Sequence, residues 1–386
     1  MKRLNSIDFV RGFVMVIMAL DHTRDFMHVT SITQNALDLN VTTPAVFFTR
    51  WITHLCAPTF VFLSGVSAYL SFKNKNDVAA SRKFLWTRGL WLIFLEFTLV
   101  NFGIWFDVRF SVFIFEVIAV IGFGFIVLSF LLNVPAKTLG FIGLGIIFLH
   151  NLFPYIPFAE NSVLKTILTP LFTQTAFPFT PKTLLIMGYP PIPWLGIMLT
   201  GFGAGKLFEL NLDERKKYFL RIGISALFLF VIIRFINIYG NSTPWSTQKN
   251  GLYTFLSFIN ITKQPPSLIF CLSTLGIMFL IFYLSDGVEN TFTKFVTVYG
   301  KVPLFYFLVH FYLLHTLMLI VMFTQGFTLS DLEFGTNLGR PKAASGLELS
   351  YIYLIWLSVV LVLYPVCKWY GNYKLMHTEK TWLRYF

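Results

Sequence analysis

Ionisable side chains are unusually dense within an apolar run near the start of the chain. Such groups are costly inside a bilayer, so each one is a hypothesis for a functional site. A neutral imidazole can take a proton or hold a transferred group, and an arginine can stabilise a developing oxyanion. These residue types therefore suit acid–base or nucleophilic chemistry. They are Asp8, Arg11, Asp21, His22, Arg24, Asp25 and His28.

The spacing of these residues predicts which of them share a helix face. Arg11 and His22 lie eleven residues apart, which returns to nearly the same face about 16 Å along the helix axis. One stripe would then carry a cation at one end and an imidazole at the other. Asp8 lies three residues before Arg11, within reach of an intrahelical ion pair.

The two carboxylates beside His22 have two possible partners. Asp21 and Asp25 lie four residues apart, so they could orient the imidazole of His22 or pair with Arg24. A structural interpretation, in which ion pairs only hold this helix against its neighbours, also stays open.

A second apolar run repeats the pattern on a smaller scale. Arg50 and His54 lie four residues apart near its start, and we expect them at the same depth as His22 and His28. Basic and acidic groups from two helices would then converge near the outer surface. Small residues further along, Ser64, Gly65 and Ala68, are typical of a packing face and are expected to contact the first helix.

Other ionisable residues fall inside apolar runs without an assignable partner. Glu96 and Glu116 occupy the third and fourth runs, and either could pair with Arg11 or with the other. His310 and His315 differ by five positions and so do not share a helix face well. No metal-binding spacing, phosphate-binding loop or dinucleotide motif is present, and we expect no metal.

The composition indicates a membrane protein along the whole chain. Of 386 residues, 56% are hydrophobic and 12% are charged, and the mean hydropathy is +0.69. Soluble domains carry about 25% charged residues. The net charge of +12 is better explained by basic cytoplasmic loops than by nucleic-acid binding. Cys56, Cys271 and Cys367 show no disulfide or zinc spacing.

The apolar runs predict an all-α, polytopic transmembrane helical bundle with about ten spans. The first run is interrupted by Asp8 and Arg11 and lacks a cleavage site, so it predicts a retained helix rather than a signal peptide. We treat residues 1–386 as a single domain. The predicted spans are 5–27, 45–72, 84–105, 110–132, 136–153, 183–208, 217–238, 266–285, 297–323 and 350–371.

The distribution of positive charge predicts the orientation of these spans. With the N-terminus inside, the inner connections and both tails carry 17 Lys and Arg, including Lys2 and Arg3, and the outer connections carry seven. The positive-inside rule then predicts a multi-pass inner-membrane protein with both termini cytoplasmic. The long outer loops 154–182, 239–265 and 324–349 could cover or line an external site.

Several segments together resemble a family of membrane acyltransferases. The opening from Ser6 to Gly12 and the Arg11-x10-His22 spacing are similar to signatures of transmembrane acyltransferases. The chain is most similar to bacterial members of the heparan-alpha-glucosaminide N-acetyltransferase catalytic-domain family. The other supporting segments are 21–25, 53–65, 193–196, 264–268 and 300–306.

This resemblance implies transfer of an acetyl or other acyl group from cytoplasmic acyl-CoA to an amino sugar or glycan on the outer side. Acetyl-CoA would be a co-substrate, the lipid bilayer a partner, and a homodimer is left open. Loop cations would bind the CoA phosphates. The loop cations in question are Lys73, Lys75, Arg82, Lys83 and Arg215, Lys216 and Lys217.

The resemblance also implies site residues. His22 matches the histidine of the glycan-acetylase signature, whereas the lysosomal branch carries Asn there and places its essential histidine further along. His28 and His54 are the candidates for that second position. We therefore predict catalytic roles for Asp21, His22, His28 and His54. We predict substrate or acyl-CoA binding by Arg11, Arg24, Asp25 and Arg50.

Two other classes of protein fit part of the sequence. A secondary transporter of a small polar or anionic solute also has about ten spans and charges at the membrane midplane, but it often shows internal repeats, and none is evident here. A purely structural membrane protein would not require the polar density of the first helix.

Overall fold

Long α-helices form nearly all of the computed structural model, which describes residues 4–159 and 162–385. Lys2 and Arg3, used in the charge count above, lie outside the described residues. The helices are α1 (Asn5–Met27), α2 (Pro44–Ile52), α3 (Cys56–Lys75), α4 (Val78–Leu95), α5 (Asn101–Trp105), α6 (Val117–Leu131), α7 (Ala136–Leu149), α8 (Val163–Phe172), α9 (Pro191–Ala204), α10 (Leu212–Ile236), α11 (Gly251–Ile259), α12 (Leu268–Ser285), α13 (Thr291–Gly300), α14 (Pro303–Thr324) and α15 (Leu349–Met376).

Within the described residues, seven helical segments are long and apolar enough to cross a membrane, which confirms the predicted class of helical membrane protein. The short fifth span is among them, as Ala136–Tyr155. The predicted first, fourth and sixth spans are occupied by α1, α6 and α9. The seven segments are Pro44–Lys75, Val78–Trp105, Ala136–Tyr155, Leu212–Ile236, Leu268–Ser285, Pro303–Thr324 and Leu349–Met376.

The predicted fourth and sixth spans began too early, because each is preceded by a β-strand. β1 (Val112–Phe115) pairs in parallel with β3 (Thr183–Met187), which pairs antiparallel with β2 (Thr175–Thr180). These strands are rich in Val, Ile, Phe and Thr, which favour extended structure. A short apolar run next to a helix cannot be separated from that helix by hydropathy alone.

The predicted ninth span is also divided. α13 ends at Gly300 and α14 begins at Pro303. Proline lacks a backbone N–H and is favoured in the first helical turn, so it starts a new helix here instead of continuing the previous one.

Helix α1 lies in the centre of the bundle and is buried on most of its sides. It packs against α3, α12, α13, α14 and α15. Asp8, Asp21 and Arg24 of this helix are buried in protein, which is the usual arrangement for ionisable groups in a membrane.

The loops predicted to lie outside meet at one end of the bundle, here called the His28 end. His28 forms a parallel β-bridge with Leu347, and its carbonyl accepts a hydrogen bond of 2.8 Å from the buried Arg340 guanidinium. The Asn260 side-chain amide donates to the Leu37 carbonyl at 3.0 Å. Loops 28–43, 239–267 and 325–348 are thereby joined.

Loops predicted to lie inside meet at the opposite end, here called the Arg11 end. Tyr69 donates to Glu209 at 2.6 Å. Arg215 and Asp286 form a buried ion pair with a 2.6 Å contact. The chain therefore alternates between two ends as predicted, and which end faces the cytoplasm stays a prediction.

Glycines permit the closest helix contacts. The predicted contact of Gly65 with the first helix is wrong, because a Cβ at Gly65 would lie 2.1 Å from the carbonyl oxygen of Met198 in α9. The first helix instead meets α13 through Gly12 and Gly300. A Cβ at Gly300 would lie 1.7 Å from the carbonyl oxygen of Asp8.

Substituting Gly300 by alanine is therefore expected to destabilise the protein by about 1–3 kcal/mol, because two helix backbones must move apart. The matched control is Gly145→Ala in α7, where an added Cβ meets nothing within 4 Å. Thermal unfolding in detergent should show a lower midpoint for Gly300→Ala only. Equal midpoints for the two variants would contradict the close packing of α1 on α13.

Candidate functional site

Helices α1 and α2 converge on the carboxylate of Asp21. Its Oδ1 accepts from Arg24 Nη2 at 3.0 Å, and its Oδ2 accepts from Arg50 Nη1 at 2.5 Å. Arg24 also contacts Asp25 Oδ1 at 2.6 Å. A carboxylate between two guanidinium groups is held in its ionised form. The predicted convergence of charged groups from two helices is confirmed.

His22 contacts a histidine from a distant helix. Its Nδ1 lies 2.7 Å from Nε2 of His310 in α14, and His310 Nδ1 lies 3.1 Å from the Tyr306 carbonyl oxygen. A carbonyl only accepts, so His310 must carry its proton on Nδ1 and accept at Nε2. His22 then donates from Nδ1, and its Nε2 keeps a lone pair.

This arrangement decides whether the two carboxylates pair with His22 or with Arg24. Both Asp21 and Asp25 pair with Arg24, and the tautomer of His22 is set by His310. The imidazole of His22 also stacks on Phe311, with ring centroids 4.4 Å apart. A fixed ring with a free lone pair is the form of histidine that accepts a proton.

A small cavity, here called the His22 cavity, lies beside this pair and has a volume of about 40 Å³. Its walls come from α1, α3, α6 and α14 and from four inter-helix segments, which supply Thr53, Glu116, Tyr189 and Lys263. Such a volume holds one or two waters or a small reacting group. The polar lining residues are Asp21, His22, Thr53, Glu116, Tyr189 and Lys263.

Lys263 places a cationic group in the lining of this cavity. It lies in the loop before α12, with Nζ 5.5 Å from the centre of the Tyr189 ring. Burial lowers the pKa of the Lys263 ammonium, and the nearby Arg50 guanidinium lowers it further, while Asp21 and Glu116 act in the opposite direction. An ammonium group with these neighbours can stabilise negative charge that develops in the cavity.

A larger cavity, here called the Arg11 cavity, opens towards the other end of the bundle with a volume of about 320 Å³. Four cationic residues line it: Arg11, Arg88, Lys301 and Lys374. Arg11 lies 3.6 Å from Asp8, which confirms the predicted pair, and also donates to the Ser67 hydroxyl.

The two cavities share part of their walls. Phe60, Val117 and Phe307 line both of them, and we call these three side chains the apolar neck. The stripe predicted from Arg11 to His22 therefore runs beside two adjoining cavities, with cations at one end and an imidazole at the other.

The other two predicted histidines lie apart from the walls of the His22 cavity. His28 follows the last residue of α1, and its Nδ1 lies 3.0 Å from the Thr30 hydroxyl. His54 is 1% exposed, and its ring packs edge-on against Phe270. Among the described residues, neither ring nitrogen of His54 has a hydrogen-bond partner.

Sequence reasoning missed several groups of this site. His310, Lys263 and Tyr189 were assigned no role, and Glu116 had no reliable partner. The available signal for His310 was an imidazole in the middle of an apolar run, which by itself is a functional-site hypothesis. Lys263 and Tyr189 lie in loops, where such a signal is absent.

The fold and this site define a polytopic membrane protein whose helical bundle encloses a polar candidate active site. The model of the heparan-alpha-glucosaminide N-acetyltransferase catalytic family matches residues 3–243, more than half of the chain. The chain belongs to this family and is a transmembrane acyltransferase of it. The matched range includes Asp21 and His22 and ends before Lys263 and His310. Among curated proteins, none matches the chain.

Proposed function

We propose that the protein transfers an acetyl or other acyl group from acyl-CoA to an amino sugar or glycan, with His22 as the base. The observation that carries the proposal is the apolar neck shared by the Arg11 cavity and the His22 cavity. A thioester that enters among the cations of one cavity could reach the imidazole of the other. The donor would enter at the Arg11 end, and the acceptor at the His28 end.

The donor side suits a CoA molecule. Phosphates are bound well by guanidinium and ammonium groups, and Arg11, Arg88, Lys301 and Lys374 supply four of them. About 16 Å of helix axis separates Arg11 from His22, a distance that the extended pantetheine arm of CoA can cover. The loop cations named from the sequence, such as Lys73 and Arg215, do not line this cavity.

The chemistry follows from the tautomer of His22. Nε2 of His22 would remove a proton from the acceptor amine or hydroxyl as that group attacks the thioester carbonyl. Lys263 or Arg50 would stabilise the tetrahedral oxyanion. When the carbon–sulfur bond breaks, His22 would return the proton to the CoA thiolate, so the reaction needs no other reactant.

The remaining predicted binding residues have supporting roles in this proposal. Arg24 would hold Asp21 in place, and Asp25 would hold Arg24. Residues 1–386 would act as a single domain in a cell membrane, with both termini cytoplasmic.

The proposed orientation is tested with reporter fusions. A reporter inserted after residue 35 and one attached after residue 386 are expected to lie on opposite sides of the membrane, because positive charge favours the cytoplasm. A cytoplasm-active and a periplasm-active reporter read the two positions independently. The proposed orientation would be wrong if both positions reported one side.

The proposed donor site is tested by acyl-CoA binding to sealed vesicles. Labelled acetyl-CoA is expected to bind inside-out vesicles. The double variant Lys301→Ala with Lys374→Ala should bind about 100-fold or more weakly, since each of the two lost charge-assisted contacts costs about 1.5 kcal/mol. Lys73→Ala is the matched control, because Lys73 lies outside the Arg11 cavity. Equal loss in the control would refute the donor site.

The function itself is tested by turnover. Purified protein with labelled acetyl-CoA and a panel of amino sugars should give an acylated sugar and free CoA. Uptake of a solute without acyl-CoA, together with no transfer to any sugar, would favour a secondary transporter.

A further inference from the structure

The His22 cavity contains a primary amine that belongs to the protein itself. Lys263 lines it together with His22, and the Nζ of Lys263 lies 5.5 Å from the centre of the ring of Tyr189, another lining residue. A lysine side chain carries the same functional group as an amino sugar. An amine and an imidazole with a free lone pair are therefore side by side before any acceptor binds.

The surroundings of Lys263 favour the form of the amine that can attack a carbonyl. Only a neutral amine has the necessary lone pair, and desolvation activates buried lysines in this way. Burial lowers the pKa of Lys263 and Arg50 lowers it further, while Asp21 and Glu116 raise it. Asp21 is already paired with Arg24 and Arg50. In the part of the chain that the structure describes, Lys263 forms no ion pair that would hold its proton.

The volume of the cavity suits an acetyl group. A space of about 40 Å³ holds one or two groups the size of a water molecule, which accommodates a carbonyl and a methyl. A sphere of this volume is about 4 Å across, close to the roughly 3–3.5 Å at which a nucleophile attacks a carbonyl carbon. An acetyl group that lies beside His22 in this cavity is therefore also beside Lys263.

We infer that Lys263 is a self-acetylation site, whose ε-amine takes the acetyl group of acetyl-CoA when no acceptor is bound. The inference rests on the proposed function, because it uses the same donor and the same cavity. The lysine nitrogen bonds to the carbonyl carbon, the carbon–sulfur bond breaks, and His22 carries the proton from the amine to the CoA thiolate. The products are acetyl-lysine and CoA, so no other reactant is needed.

Acetylation of Lys263 would inactivate the molecule that carries it. The modified side chain is neutral, so a cation proposed to stabilise the oxyanion is lost, and the new acetyl group occupies the cavity. An amide is much less reactive than a thioester, so the acetyl group is not passed on to a later acceptor. An acceptor that reaches the cavity first would protect the enzyme.

The test is incubation of the full-length protein in lipid nanodiscs with labelled acetyl-CoA and no acceptor, followed by peptide mass analysis. One acetyl group is expected on Lys263, and less of it when glucosamine is present. Lys301 and Lys374 are matched controls in the same molecule, because they line the Arg11 cavity, where the CoA phosphates and not the thioester would lie. Unmodified Lys263, or equal acetylation of the three lysines, would overturn the inference.

The variant Lys263→Arg links the modification to the loss of activity. Arginine keeps the positive charge and is not acetylated, so this variant should keep its own initial rate throughout the incubation. Fully acetylated wild-type protein should lose turnover about 10²-fold or more, the cost of removing one group that stabilises an oxyanion. If Lys263→Arg loses activity as fast as the wild type, the inference is wrong. If the variant is inactive from the start, the mass analysis of the wild type decides.

Failure of the proposed function would look different. If no amino sugar is acylated but Lys263 acquires an acetyl group, the acceptor is wrong and the inference stands. If an amino sugar is acylated and Lys263 stays unmodified, the proposed function stands and the inference is wrong. If neither the sugar nor Lys263 is acylated, both are wrong.

Discussion

Replacing His22 by alanine is expected to lower turnover by a factor of about 10² to 10⁴ while acyl-CoA still binds. The alanine removes the lone pair that His310 leaves free on Nε2, so the acceptor can no longer be deprotonated in the His22 cavity. The cations proposed to bind the CoA phosphates line the Arg11 cavity and are untouched. Turnover of labelled acetyl-CoA and equilibrium binding, measured on the same preparation, separate the two effects.

The controls are the two other histidines that the family resemblance singles out. His28→Ala and His54→Ala should keep most of the turnover, because neither residue lines the His22 cavity. If His22→Ala retains near-normal turnover and either His28→Ala or His54→Ala is inactive, the base is the histidine whose variant is inactive. If His22→Ala, His28→Ala and His54→Ala all remain active, the proposed mechanism is wrong.

Variants of His310 test whether its contact with His22 has a chemical role or only a structural one. His310→Ala leaves His22 free to adopt either tautomer, so we expect a smaller loss of turnover than for His22→Ala. His310→Gln can still accept a hydrogen bond from His22 Nδ1 through its side-chain oxygen and should restore part of that loss. Failure of His310→Gln to improve on His310→Ala would argue against tautomer control.

The second large effect is on stability. Asp21→Asn is expected to lower the free energy of unfolding by about 3–5 kcal/mol, the cost of breaking a buried ion pair by removing one partner. Arg24 and Arg50 both contact this carboxylate, and an amide cannot balance their charge. Thermal unfolding in lipid nanodiscs measures the loss.

An exposed ion pair supplies the comparison for Asp21. Lys342 and Glu333 lie 2.7 Å apart at the surface, where water and salt screen the pair. Glu333→Gln should therefore leave the unfolding midpoint nearly unchanged. If Asp21→Asn unfolds at the wild-type temperature, the charges of the two arginines are balanced without Asp21, and the buried charge balance described here is incorrect.

The sequence was most informative where a single helix carries the signal. The pairing of Asp8 with Arg11 and the shared stripe of Arg11 and His22 depend only on helix geometry. The membrane class and the positions of most helices depend on apolar runs of sufficient length. Periodicity and hydropathy are local properties, so these predictions needed no knowledge of tertiary contacts.

The remaining features depend on contacts between distant parts of the chain. His310 is 288 residues from His22, and nothing in the local pattern of either helix indicates that they meet. The carboxylates four residues apart offered a nearer partner for His22, and this local alternative proved wrong. Likewise β1 and β3 are defined by pairing with each other, which an apolar run cannot reveal.

The apolar neck has a consequence for the membrane itself. Narrow constrictions lined by apolar side chains shed water and stop conducting ions. Phe60, Val117 and Phe307 line both cavities, and under the proposed function they would form such a constriction. Under the proposed function, a two-carbon group would pass this point as part of a covalent exchange, with no opening through which protons or salts could leak. The enzyme could therefore modify a molecule on the far side while the electrochemical gradient of the cell is preserved, and without the alternating rearrangement that a carrier requires.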